Sequence, residues 1–400
     1  MTDISALSHI GKLVTTDPKT GEVRTYSKVS LYLKDGRIHS IQPGTASGDQ
    51  VLDCHGKLVT PGFVDPHTHP VFFRGREQEF MDRLAGKSYQ EIAATGGGIQ
   101  SSIDGVRSAS REELIDVVRK RMDRFLSLGT TTVEAKSGYG LDLDSELKSL
   151  AVLDAVNQTH SIDIHPTFMG AHAIPPEYAG DKDGYVGYLC DEMIPAVARQ
   201  GIAEYIDVFC EQGYFTVADS RKILKRGREF GLGLRMHADE FKDSGAASLA
   251  GECGCVTADH LMAVSRTGIM DMVRNQVIGT LLPGTTFFLG STDYAPARDM
   301  VRAGMDIALA TDYNPGSCHI QSMPFIITLA CIYLHLPVQL ALKAATFTAA
   351  KTLDREHEIG AIAPGYVADL IIWDLEELVQ IPYTVSDMPI RTVLKRGEIV

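Results

Sequence analysis

The segment GFVDPHTHP, residues 62–70, places two histidines one residue apart where an apolar run gives out. In an extended chain, residues i and i+2 face the same side. His67 and His69 therefore project together, a spacing that suits two imidazoles on one cation. An isolated His-x-His is equally a hydrogen-bonded pair in a strand-end loop, so the rest of the chain has to decide. Further polar residues close other apolar runs: Lys136 and Tyr139, His172, Glu211, His237 and Glu240, Asp259 and His260, Asp312 and Asn314. One such histidine is ordinarily structural. Acids and histidines at the same end of successive runs point to a metal site and to hydrolytic chemistry.

Eight strand-like runs carry these residues: GFVDPHTH, TTTVEAKSGYG, IDIHPTFMGAHA, EYIDVFCEQG, LGLRMHADEF, VTADHL, VIGTLLPG and MDIALATDYNPG. Amphipathic helical stretches such as REELIDVVRKRMDRFLSLG and VADSRKILKRGREFG lie between them. Strand–helix alternation implies a parallel sheet, and eight units of this length predict a (β/α)8 barrel of TIM type. A doubly wound open sheet is the alternative. The two chain ends differ in texture. SKVSLYLKDGRIHSIQPG and QVLDCHGKLVTPG alternate apolar and polar residues around turn signals, Asp35-Gly36 above all, and YVADLIIWDL and IRTVLKRGEIV do the same. The expected organisation is residues 1–62 and 359–400 as the two parts of a small composite β-sandwich domain, with the barrel over 63–358.

Composition narrows the partners. The 400 residues are 44% hydrophobic with a net charge of -13, and the acids are scattered. Such a surface argues against nucleic acid or an anionic membrane, and an anionic substrate then requires a local cation. Seven cysteines read as reduced thiols of a cytoplasmic protein, and Cys253 and Cys255 lack a second pair to complete a zinc site. The first residues show no signal-peptide pattern, and no apolar run reaches membrane-span length.

PGFVDPHTH, HADE, ADH and ATDYNPG together resemble the amidohydrolase superfamily. EIAATGGGIQSS, TTVEAKSGYGLD, FMGAHAIPPEY, DEMIPAVA, DVFCEQGYF, LLPGTTFFL and TDYNPGS follow the order of its imidazolonepropionase family, over nearly the whole chain. The resemblance implies hydrolysis of 4-imidazolone-5-propanoate to N-formimidoyl-L-glutamate in histidine catabolism. It implies His67, His69, His237 and Asp312 as metal ligands. It also implies Arg76, Tyr139, His172, Glu240, His260, Asn314, Gly316 and Ser317 as substrate contacts. NPGSCH, residues 314–319, departs from the family's pattern: Ser317 stands where Thr is commoner, and Cys318 and His319 are unusual there.

The residue chemistry fits the opening of a cyclic amide. A divalent ion acidifies water and polarises a carbonyl, and three imidazoles with one carboxylate leave a coordination position open. Asp312 is the expected base. His260 is placed to stabilise an oxyanion or protonate the leaving nitrogen, and Glu240 to grip a ring N–H or assist proton transfer. Arg76 suits the substrate carboxylate, with Tyr139 and His172 beside it. Many superfamily members hold two ions on a carboxylated lysine after strand four. VFCEQGYF offers no lysine there, so one ion is expected, zinc first and iron second. Lys136 reads as structural or substrate-side. Gly96-Gly97-Gly98 lacks the G-K-[ST] of a phosphate loop and reads as a loop at the barrel mouth. Another mononuclear amidohydrolase or base deaminase is the nearest alternative. A non-catalytic scaffold would be expected to lose ligands. A homodimer is the expected assembly.

Overall fold

The computed structural model describes residues 4–48, 50–87, 97–385 and 387–400. Gly96 lies outside them. Two eight-stranded sheets make up the fold.

The first sheet is built from both chain ends. From the N-terminal side come β1 (Ala6–Thr16), β2 (Val23–Lys34), β3 (Arg37–Pro43), β4 (Val51–Asp53) and β5 (Leu58–Pro61). Asp35-Gly36 makes the β2–β3 turn, both residues at positive φ (51° and 70°), the conformation that matches the right-handed twist of paired strands. After a long excursion the chain returns as β14 (Leu370–Trp373), β15 (Ile390–Lys395) and β16 (Glu398–Ile399). β14 pairs antiparallel with β5, so the strand order runs β16-β15-β14-β5-β1-β2-β3, with β4 beside β1. Inward residues of both ends, among them Leu7, Leu13, Leu31, Val59, Leu370 and Leu394, share one apolar core. The fully buried Trp373 indole donates to Thr60 Oγ1 at 3.0 Å, which ties the returning segment to β5.

The second sheet runs β6 (Phe63–Asp65), β7 (Thr130–Lys136), β8 (Asp163–Ala171), β9 (Tyr205–Cys210), β10 (Gly233–Ala238), β11 (Thr257–His260), β12 (Ile278–Leu281) and β13 (Ile307–Leu309), all parallel and in sequence order. β13 meets β6 through a parallel bridge between Thr68 and Tyr313, with Asp312 N–H donating to His67 O (3.1 Å) and His69 N–H to Tyr313 O (2.8 Å). This contact closes the barrel. Helices cover the outside. The helix Arg111–Ser127 starts in a capping box between Ser110 and Glu113, and Val217–Glu229 in one between Thr216 and Asp219.

The strands are buried on both faces, yet their inward rows are not all apolar. Glu134 and Lys136 on β7, Asp207 on β9, Arg235 on β10 and Asp259 on β11 are wholly buried. Lys136 Nζ lies 2.8 Å from Glu134 Oε1 and 2.9 Å from Asp207 Oδ2. Arg235 donates to Pro66 O (3.1 Å) and Thr352 O (2.6 Å) and lies over the Tyr205 ring. Buried charges persist only when paired and hydrogen-bonded. This network is the floor on which the site rests.

Candidate metal centre and active site

His67 and His69 follow β6, whose last residue is Asp65. They are extended because residues 67–69 bond to both neighbours: Lys136 N–H donates to Thr68 O (2.9 Å), and the 312–313 backbone bonds to His67 and His69. Thr68 Oγ1 adds a bond to Glu134 O (2.6 Å). Below them, Asp65 accepts from Thr311 N–H and its hydroxyl (3.1 and 2.6 Å). Burial still pushes the Asp65 carboxyl up to about 7.

Four side chains converge over this floor. His67 Nε2 lies 3.2 Å from His69 Nε2, and His237 Nε2 lies 3.3 Å from His69 Nε2. Asp312 Oδ1 is 3.5 Å from both His67 Nε2 and His69 Nε2. His67 gives its Nδ1–H to Asp259 Oδ2 at 2.6 Å, and His237 gives its own to Asp207 Oδ1 at 3.0 Å. In the neutral rings this leaves each Nε2 a lone pair, and both are aimed at the same point. Burial holds His67 and His69 well below the usual imidazole range, so they are neutral. The Nδ1 of His69 is buried without a hydrogen-bond partner among the described residues. Lone pairs and a carboxylate packed this closely suit a cation. The 3.2–3.5 Å separations match the roughly 3.3 Å between neighbouring donors of a tetrahedral ion with bonds of about 2.0–2.1 Å. The residues present fit a divalent metal ion, and the carboxylate partners of two ligand imidazoles are what such sites use to set tautomer and basicity.

Asp312 is turned by Thr285, whose hydroxyl donates to Oδ2 at 2.5 Å, leaving Oδ1 toward the histidines. Desolvation lifts the Asp312 carboxyl to about 6, against the Thr285 hydrogen bond. Its backbone is left-handed (φ 54°), and so is that of His260 (φ 77°). Such residues cost on the order of 1–3 kcal/mol and concentrate at functional sites. Neither ring nitrogen of the buried His260 has a hydrogen-bond partner among the described residues. Its Nε2 lies 3.7 Å from Glu240 Oε2, and it stands near His67 and His237 as a further nitrogen donor. Burial, with the nearby Asp312 charge, pushes Glu240 well above the carboxylate range, which favours its protonated form. The preceding Asp239 anchors this HADE corner by accepting from Ser244, Ala246 and Ala247 N–H.

The expected substrate-side residues surround the same point. The His172 ring stacks on His69 (centroids 5.2 Å apart, 28°) and meets Tyr139 at 5.1 Å. Its Nδ1–H donates to Gly138 O at 2.9 Å. Burial brings the His172 pKa down to about 3. Arg76 is partly occupied: its Nε and Nη2 donate to Glu79 Oε2 at 2.9 and 2.6 Å. A Cβ on Gly316 would lie 2.7 Å from Arg76 Cζ, so glycine lets the guanidinium lie flat on this loop. Asn314 organises the NPGSCH turn. Its Oδ1 accepts from Gly316, Ser317 and Cys318 N–H, while its Nδ2 donates to Asp312 O and Ser317 Oγ. Cys318 is buried against Thr311 O, and His319 lies against Tyr313 and Phe72.

Sequence reasoning named the converging side chains but missed those that aim them. Asp207 and Thr285 went unassigned, and Asp259 stood only as a strand end. A charged residue inside the otherwise apolar YIDVFC was the available signal for Asp207. Lys136 is a buried counter-ion in the floor.

The sequence matches the Amidohydrolase family profile over residues 58–400. It is 44% identical to the imidazolonepropionase of Symbiobacterium thermophilum, across 98% of this chain and 95% of that protein. It is 47% identical to that of Geobacillus kaustophilus, across 93% and 89%. Among solved structures it resembles 5-methylcytosine deaminase from Klebsiella pneumoniae with 5-fluorocytosine (TM-score 0.77, 18% identity, 99% and 97% of the two chains), a likeness of fold alone.

Proposed function

We propose, from the premise that this chain belongs to the amidohydrolase family and within it to the imidazolonepropionases, that it hydrolyses 4-imidazolone-5-propanoate to N-formimidoyl-L-glutamate. It is a hydrolase acting on a cyclic amide. The carrying observation is that likeness over nearly the full chain, in a barrel whose mouth gathers His67, His69, His237 and Asp312 around one point.

A divalent ion held by those four residues would supply polarisation of the ring carbonyl and acidification of water to a pKa of about 7. The chain's own groups do the rest. Asp312, aimed by Thr285, accepts the proton of the attacking water. His260, neutral and with both ring nitrogens unpartnered among the described residues, donates a hydrogen bond to the oxygen that gains charge. Glu240, whose protonated form burial favours, is placed to serve the leaving ring nitrogen. Arg76 meets the propionate with the part of its guanidinium that Glu79 does not engage, Nη1, which lies against Gly316. His172 has committed its Nδ1–H to Gly138, which makes its Nε2 an acceptor suited to a ring N–H. Tyr139 closes the same wall, and Asn314, Gly316 and Ser317 form the loop behind Arg76.

One ion per chain, zinc first and iron second, belongs to this reading. It is supported by three imidazoles with one carboxylate and by the absence of lysine from CEQGYF after β9. A cytoplasmic homodimer without nucleic-acid partners is proposed alongside it. Seven unpaired cysteines support the compartment and the net charge of -13 the lack of nucleic acid, no helix among the described residues is long and apolar enough to cross a membrane, and the homodimer rests on how common that assembly is among enzymes of this size. The test is to purify the protein, measure metal per chain, and follow loss of imidazolonepropionate absorbance. A metal-loaded protein that leaves this compound intact but turns over another cyclic amide or an aminated base overturns the proposal.

A further inference from the structure

Glu146 is a wholly buried carboxylate that the mechanism above does not use. It sits in the first turn of the helix Leu143–Asn157, where the unpaired N–H groups favour negative charge. Its partners are not the helix's own. Oε1 accepts from Gly140 N–H (2.8 Å) and Leu141 N–H (3.0 Å), and both oxygens lie 3.1 Å from Gly138 N. Burial raises its pKa, while the Ser137 hydroxyl and the three backbone N–H groups act to lower it.

The turn so held is not self-supporting. Leu141 is left-handed at φ 57°, which a branched side chain resists. A Cβ on Gly138 (φ 103°) would lie 3.0 Å from Met169 O and 3.1 Å from His172 Nδ1. A Cβ on Gly140 would lie 2.6 Å from Ser145 Cβ. The backbone is pressed against β8 on one side and the helix start on the other. Two side chains of the pocket depend on it. Tyr139 is carried between the bonded residues, and Gly138 O is the acceptor that fixes the His172 tautomer.

We propose that Glu146 is a positioning residue for the substrate-side wall: by gathering the N–H groups of Gly138, Gly140 and Leu141, it sets the Tyr139 ring and keeps the Nε2 of His172 an acceptor. The inference rests on the proposed substrate side and names a residue that touches neither metal nor substrate.

The test uses the metal-loaded full chain with Glu146→Gln. Glutamine keeps the volume and one acceptor but sets an NH2 group against a backbone N–H. The expected result is a fall of about tenfold or more in kcat/KM for imidazolonepropionate, carried mainly by KM, with metal content unchanged. Histidine-selective 15N spectra should show the protonated Nδ1 of His172 in the wild type and a changed or averaged tautomer in the variant. Gly140→Ala moves the same turn with the carboxylate in place, its added Cβ meeting Ser145 rather than His172. It should reproduce both effects and combine non-additively with Glu146→Gln, and it serves alone if Glu146→Gln does not fold. Kinetics within about twofold of wild type and an unchanged His172 signal overturn the proposal. So does loss of metal in step with activity, which marks a general structural role. If the wild type does not consume imidazolonepropionate, the substrate reading fails. The His172 spectra still judge Glu146.

Discussion

Arg76→Met removes the charge and the planar fork from the proposed propionate site while keeping an apolar stem. The magnitude follows from how the guanidinium is already engaged. Its Nε and Nη2 are bonded to Glu79, and both side chains are largely buried, 11% and 16% exposed. Part of the positive charge is therefore neutralised before substrate arrives, and a single face remains. A full bidentate, desolvated carboxylate contact is worth about 2–4 kcal/mol, and the shared charge places Arg76 in the lower half, about 2–3 kcal/mol. That is about 30- to 160-fold in kcat/KM. It should appear mainly in KM, since the propionate is held alike in ground and transition states. The substitution also strands Glu79, whose other oxygen accepts from Gly98 N–H at 2.8 Å. A loss of about 1–3 kcal/mol in stability is expected from that unpaired carboxylate. Arg76→Met combined with Glu79→Gln should regain stability without regaining affinity. Arg76→Lys should rescue in part, as a point charge without the fork. The assay is steady-state loss of absorbance for the natural substrate and for its neutral carboxamide analogue, the latter expected to be indifferent to the mutation. A Met variant within about twofold of wild type on the natural substrate would show that Arg76 belongs to Glu79 and that the carboxylate is bound elsewhere.

Asp312→Asn should lose at least about 100-fold in kcat, because an amide can ligate weakly but takes no proton; a variant that keeps most of its turnover with metal bound assigns the base elsewhere, Glu240 being next. Metal analysis should give one ion per active chain and none in His67→Ala, which should also be inactive; two tightly held ions would refute the single-site reading. Deleting residues 366–400 removes β14–β16 and bares the β5 edge and the shared core, so the product should be insoluble; a soluble, active truncation would show the chain ends to be independent. Asp65 is raised from 3.8 to about 7 in the fold, so its contribution to stability is complete below pH about 4 and is lost as pH rises through about 7. This corresponds to on the order of 4 kcal/mol. Melting of the metal-free protein across that window should be steeper in pH than melting of Asp65→Asn, and identical profiles would sink the assignment.

Much of the architecture was legible because its causes are local. Asp35-Gly36 between alternating segments specifies a hairpin wherever it occurs, and the capped helices Arg111–Ser127 and Val217–Glu229 carry their own start signals. His67 and His69 could be paired on paper because an extended backbone puts i and i+2 on one face, although β6 itself ends at Asp65 and the extension comes from bonds to residues 136, 312 and 313. His237, His260 and Asp312 were found because parallel strands deliver their C-terminal ends to one rim.

The aiming groups were not legible, since each depends on a contact between distant segments. Asp207 reaches His237 because of how β9 pairs with β10, and Asp259 reaches His67 across 192 positions of chain. Thr285 on Asp312, Glu79 on Arg76 and Glu146 on the Gly138–Leu141 turn are side-chain rotamers chosen by packing. By itself the sequence determined which groups are available for chemistry, which end of the barrel holds them, and that both chain ends are β-structure. Only the tertiary structure decided their tautomers, their charge and their free faces. A hydrogen-bond partner and the loss of water set those properties, and neither is a function of neighbours along the chain.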